Sequence, residues 1–124
     1  MYPGSSNTRP SPHTQAGFAL AQQVVPLNTS GNPADNGRIV MIAVGMSNTY
    51  SEYQAFVQAA NADPEVAPLV ALVNGAQPGQ TAPDWTDPNA PTWDEVDNRM
   101  ASGGLTPAQV QVAWVKLVQV GGGS

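Results

Sequence analysis

Cysteine is absent from this 124-residue chain, and histidine occurs once, at His13. Disulfides and thiolate chemistry are thereby excluded, a zinc or haem site lacks its ordinary ligands, and no cofactor is expected. Charge is also scarce: Asp, Glu, Lys and Arg make up 10%, nine acids against four bases, with no run of either sign. That balance leaves no electrostatic footprint for nucleic acid or anionic lipid, so neither is expected as a partner. No stretch approaches the roughly 20 apolar residues of a membrane span. Met1-Tyr2-Pro3-Gly4-Ser5 also lacks a charged region leading into an apolar one. A soluble chain is expected, with any export signal removed or never included.

Proline and glycine are abundant, twelve of each, concentrated in residues 1–37, in 74–91 and at the end. Much of the chain is therefore loop, although 41% apolar residues suffice for the core of one domain. Residues 1–37 read as an irregular Pro/Ser/Thr-rich lead-in that packs one short element in its apolar stretch Phe18 to Leu27. Residues 38–120 read as an α/β domain, and 121–124 as a flexible Gly/Ser tail.

Within 38–120 the pattern is strand, helix, strand, helix, strand. Ile39 to Val44 is a continuous apolar run of strand length, as in a strand covered on both faces, and Gly45 ends it. Thr49-Tyr50-Ser51-Glu52 has the form of a capping box. Tyr53, Phe56, Val57 and Ala60 then repeat with helical spacing, which predicts a helix from about Tyr50 to Asn61, stopped by Asp63-Pro64. Leu69 to Val73 reads as the second buried strand. After a proline-rich connection from Ala82 to Pro91, Thr92-Trp93-Asp94-Glu95 is another capping box, opening a helix with Trp93, Val96 and Met100 on one face that ends near Gly103-Gly104. Thr106 to Gln109 resembles a capped turn, and Val110 to Val118 is the third strand. Such alternation predicts a three-layer parallel sheet with helices on its faces. Three strands are few for a doubly wound domain, so the sheet is expected to be incomplete. Its unpaired edge would be covered by a homodimer.

Function concentrates in two loops at strand ends, Gly45 to Thr49 and Asn74 to Thr81, where an open α/β sheet binds ligands. Ser47 falls before a helix N-terminus, among N–H donors and beside the positive end of a helix dipole, a setting that favours an anionic intermediate. Gly75 and Gly79 allow close backbone approach, and Asn48 and Asn74 add amide donors. Each residue also has a plainer role. Ser47 would cap its helix, Gly79 would serve a turn, and His13 would be an exposed loop histidine. Asp84, Asp87, Asp94, Glu95 and Asp97 match no EF-hand spacing, and two of them suit a helix first turn, so no metal is expected. Trp93 and Trp114 hold apolar periodic positions and read as core, which leaves Trp85 as the tryptophan expected to reach a site.

The order Gly-x-Ser-Asn after the first strand, Asn-Gly-Ala-Gln-Pro-Gly-Gln-Thr after the second, and an apolar third strand resembles the first half of the SGNH/GDSL hydrolases, over roughly residues 38–120. These are esterases on a flavodoxin-like sheet. The resemblance implies Ser47 as nucleophile, the N–H groups of Ser47 and Gly79 as oxyanion donors, an acyl or carbohydrate ester as substrate, and a secreted or periplasmic setting. Three features depart from the family. Gly-Met-Ser replaces its Gly-Asp-Ser, its third-block asparagine has only Gln119 as an amide counterpart, and its Asp-x-x-His block is not found, as in a fragment. The competing reading is a non-catalytic binding or structural module using the same crevice.

Overall fold

The computed structural model describes residues 1–118 and shows an α/β protein with a three-stranded, open, all-parallel sheet of order β2-β1-β3. The strands are β1 (Ile39–Gly45), β2 (Val70–Val73) and β3 (Val110–Lys116); the α-helices are α1 (Ser11–Ala21), α2 (Ser47–Ala62), α3 (Ala82–Thr86) and α4 (Pro91–Ser102). Among the described residues no helix is long and apolar enough to cross a membrane.

β1 is the centre because its β-branched run suits a strand with neighbours on both sides, and five of its seven residues are buried. Its two connections leave in opposite directions, to β2 through α2 and from β2 to β3 through α3 and α4. Right-handed crossovers must then place the helices on opposite faces of the sheet, and the core divides accordingly. On one face Val40, Ile42 and Val44 meet Ala71, Val73, Trp85, Val96 and Met100. On the other, Met41, Ala43, Leu72 and Trp114 meet Tyr53 and Val57 of α2.

The helix boundaries correct the capping-box expectations. α2 starts at Ser47, with Met46 as N-cap and no side-chain cap, because Thr49 and Glu52 bond to β3 instead. α4 starts at Pro91, whose fixed φ and missing N–H suit a first helical turn. Thr92 there bonds to Gln80 and Glu95 to Arg99. The capping boxes present are Thr81 with Asp84, which builds α3 inside the stretch expected to be plain connection, and Thr106 with Gln109, as expected.

In the lead-in, the helix is Ser11–Ala21, begun by Pro12, rather than an element over Phe18 to Leu27. Residues 25–29 then run beside β3. A bulge between Val110 and Val112 leaves Gln111 outside the ladder. Its side-chain amide accepts from Val25 N–H at 3.2 Å and donates to Val25 O at 2.7 Å. Gln109 donates to Leu27 O and Thr106 to Thr29 O, completing the attachment.

Candidate functional site

The carboxyl ends of the three strands are tied together by hydrogen bonds, and the two loops singled out in the sequence meet there. Gly45 ends β1 because there is no room for a side chain: a Cβ would collide with Thr49 Oγ1 and Lys116 O. Thr49, fully buried, donates its hydroxyl to Lys116 O at 3.1 Å, fixing the start of α2 to the end of β3. Glu52, one turn later, accepts from Lys116 Nζ at 2.7 Å. That pair is half-exposed and contributes at most about 1 kcal/mol; the buried threonine bond is the stronger constraint.

The loop after β2 folds over the same end. Gln77 N–H donates to Gly45 O at 3.0 Å, while its side-chain Nε2 donates to Thr92 O at 2.9 Å and joins the loop to α4. Gln77 to Gln80 form a turn closed by Gln80 N–H to Gln77 O, with Pro78 second and Gly79 third. Gly79 has φ +79°, the left-handed value that a type II turn requires at this place. Its surroundings are open. Ala82 N–H then donates to Val118 O, bringing in the segment that follows β3.

Ser47 and Asn48 are exposed on this edge. Ser47 is the first residue of α2, so its N–H belongs to the first turn, which lacks intrahelical partners. Asn48 Oδ1 accepts Thr49 N–H at 2.8 Å. The Asn74 side chain is engaged within the loop: its Nδ2 donates to Tyr50 O at 2.9 Å and its Oδ1 accepts Ala76 N–H. Gln119 lies outside the described residues. Ser47 Oγ is hydrogen-bonded to no group among the described residues. His13 sits in α1 with its ring 5.7 Å from that of Tyr2.

Trp85 does not reach a site. It is buried in the core, edge-on to Trp93 at 5.0 Å, and its Nε1 has no partner among the described residues. Three of the five acidic residues are engaged locally: Asp84 caps α3, Asp87 accepts Asn89 N–H, and Glu95 pairs with Arg99. No group of three metal-ligating side chains comes together among the described residues.

Sequence reasoning overlooked Arg99. Its guanidinium donates to Asn74 O and Ala76 O, both at 2.9 Å, and lies 5.9 Å from the Tyr50 ring. The only local signal was Glu95 four residues earlier. Arg99→Met would leave both carbonyls without their donor, and a loss of about 2 kcal/mol is expected, seen as a lower urea midpoint with an unchanged m-value. A groove of about 420 Å³ opens beside Arg99 and Asn74, and another of about 270 Å³ lies between Glu52, Phe56 and Trp114. Neither is lined by Ser47 or Gly79. Compared with protein-family models, curated proteins and solved structures, the chain matches none.

Proposed function

We propose that this chain carries the nucleophile and oxyanion half of a serine ester hydrolase on a flavodoxin-like sheet, acting on an acyl or carbohydrate ester. The observation that carries this reading is Ser47 opening α2 directly beyond the central strand β1, on the edge where the loop after β2 is bonded to Gly45. Strand order 2-1-3 matches the first three strands of the flavodoxin-like order, whose ligands bind at the β1/β3 switch point.

In this reaction Ser47 Oγ attacks the ester carbonyl carbon while a general base takes its proton. The N–H groups of Ser47 and Gly79 hold the developing oxyanion, with Asn48 and Gln119 as candidate amide donors, the Asn74 amide being engaged with Tyr50 O. Collapse expels the alcohol, and water then releases the acid from the acyl-enzyme. The base and its carboxylate partner have no counterpart beside Ser47 among the described residues, so the reading requires them from another source.

A fluorophosphonate followed by intact mass, on this chain and on the product of its whole reading frame, tests the proposal. Labelling at Ser47 in the latter is expected, and Ser47→Ala should lower aryl-ester turnover at least about a thousandfold without changing the melting temperature. Unchanged turnover, or no label on either protein, removes the esterase. The second reading, a binding or structural module using the same edge, is favoured by the Ser47 hydroxyl, which has no hydrogen-bond partner among the described residues, and by the single histidine, which sits on α1 against Tyr2. It expects no label and a replaceable serine.

A further inference from the structure

The outer side of β2 is an edge of the sheet. Ile39 N–H donates to Leu69 O, and the register runs unbroken from Ile39 with Val70 to Ile42 with Val73. In a parallel ladder alternate residues turn both backbone groups to the same neighbour, so Leu69 O, Ala71 and Val73 serve β1. Val70 O, the N–H and C=O of Leu72, and Asn74 N–H therefore face outward, and none of them has a partner among the described residues. Val70 to Val73 contains no charge or proline that would ward off pairing. Two grooves follow this edge. One, of about 420 Å³, is lined by Tyr50, Leu72, Val73, Asn74, Arg99 and Leu105; the other, of about 310 Å³, lies on the α2 face against Phe56, Val70 and Leu72. At the carboxyl end of the edge stands the Arg99 guanidinium. Its Nε is held by Glu95 and its Nη1 by the carbonyls of Asn74 and Ala76, while Nη2 has no partner among the described residues. A guanidinium fixed in this way, with one nitrogen open beside an outward backbone N–H, is preorganised for a carboxylate.

We propose that the edge of β2 receives the C-terminal end of a partner polypeptide as an added parallel strand, its terminal carboxylate held by Arg99 Nη2 and Asn74 N–H. The charge sets the direction: a parallel strand brings its carboxyl end to Arg99, whereas an antiparallel one would bring a like-charged amino end. The outward groups set the register. The last residue of the partner donates its N–H to Leu72 O, and the residue two before it donates to Val70 O and accepts from Leu72 N–H. The last side chain then lies opposite Val73, on the face of Leu105, and the one before it lies opposite Leu72, on the α2 face. Both places are apolar, so an apolar pair of final residues is selected. Backbone bonds supply affinity in strand addition, and alternate side-chain pockets supply selectivity. The site uses neither Ser47 nor Gly79 and is independent of the esterase reading.

The probe is a pentapeptide library with apolar residues varied at the last two positions and fluorescein at the amino end, followed by fluorescence anisotropy. The free acids are expected to bind at least about tenfold more tightly than the same peptides as C-terminal amides, as the loss of a charge-assisted hydrogen bond implies. In the tightest binder, N-methylation of the last residue, whose N–H meets Leu72 O, should abolish binding. N-methylation of the residue before it, whose N–H points away from β2, should be tolerated. Arg99→Met, measured where its circular dichroism is native, should bind acid and amide alike. Equal binding of acid and amide by the unaltered protein, equal effects of the two methyl groups, or no binding at all would overturn the proposal. No binding together with a two-chain mass in sedimentation would give the edge to a second copy instead.

Discussion

Tyr53→Ala is expected to lower the unfolding free energy by about 4 kcal/mol, the cost of emptying a buried aromatic site. Tyr53 is fully buried on the α2 face, stacked on Trp114 with ring centroids 6.0 Å apart and packed with Ala43 and Ala76. Its hydroxyl donates to Met41 O at 3.0 Å, so one side chain joins α2 to β1 and β3. With typical stabilities of about 5–15 kcal/mol, such a loss leaves little of the fold at 37 °C. Tyr53→Phe should cost only about 1 kcal/mol, the hydroxyl's net contribution.

The same residue sets a pH dependence. Burial pushes the phenol up to about 12, above the ordinary 10. The native state therefore keeps a proton that the unfolded chain releases between those values, and stability falls as pH rises through that window. Below pH 10 the contribution is complete. Urea unfolding at pH 9 and pH 11 should show the decline in the unaltered protein and a shallower one in Tyr53→Phe.

Gly45→Ala is the second change with a large expected effect, a loss of 3 kcal/mol or more, beyond the ~1–3 kcal/mol of ordinary overpacking. The added methyl meets both partners of the Thr49–Lys116 bond, one of them backbone. Relief requires α2 to leave β3, which also breaks the pair of Glu52 with Lys116. Gly79→Ala is the control. It meets no neighbour and is disfavoured only by its positive φ, so a loss of about 1 kcal/mol is expected. Thermal or urea unfolding of the two variants separates a glycine kept for close approach from one kept for a turn.

The sheet was legible because its strands are apolar-rich runs of strand length: Ile39 to Val44, buried in the centre, and Val110 to Val118, at the exposed edge, differ from the observed strands by one or two residues. The site's connections were not, because local patterns were satisfied by distant partners. Thr49 and Glu52 have the spacing of a cap, yet their bonds reach Lys116, 67 and 64 residues away. At the second expected cap Thr92 reaches back to Gln80, while Glu95 pairs along its own helix with Arg99. Trp85 looked like a loop aromatic since its proline-rich surroundings conceal the short α3 that turns it inward. In the Pro/Ser/Thr-rich lead-in, Pro12 lies in the first turn of α1, where proline is tolerated.

The long reach between Thr49 and Lys116 also orders events during synthesis. At about 5–20 residues per second, the 67 residues separating them take roughly 3–13 s to translate. For that interval β1 can pair with β2 but has nothing on its other side, and Trp114 is not yet there to stack on Tyr53. The nascent chain thus carries an open, apolar central strand until β3 arrives, a state exposed to aggregation. Chaperone dependence should accordingly be greatest before residue 116 has left the ribosome.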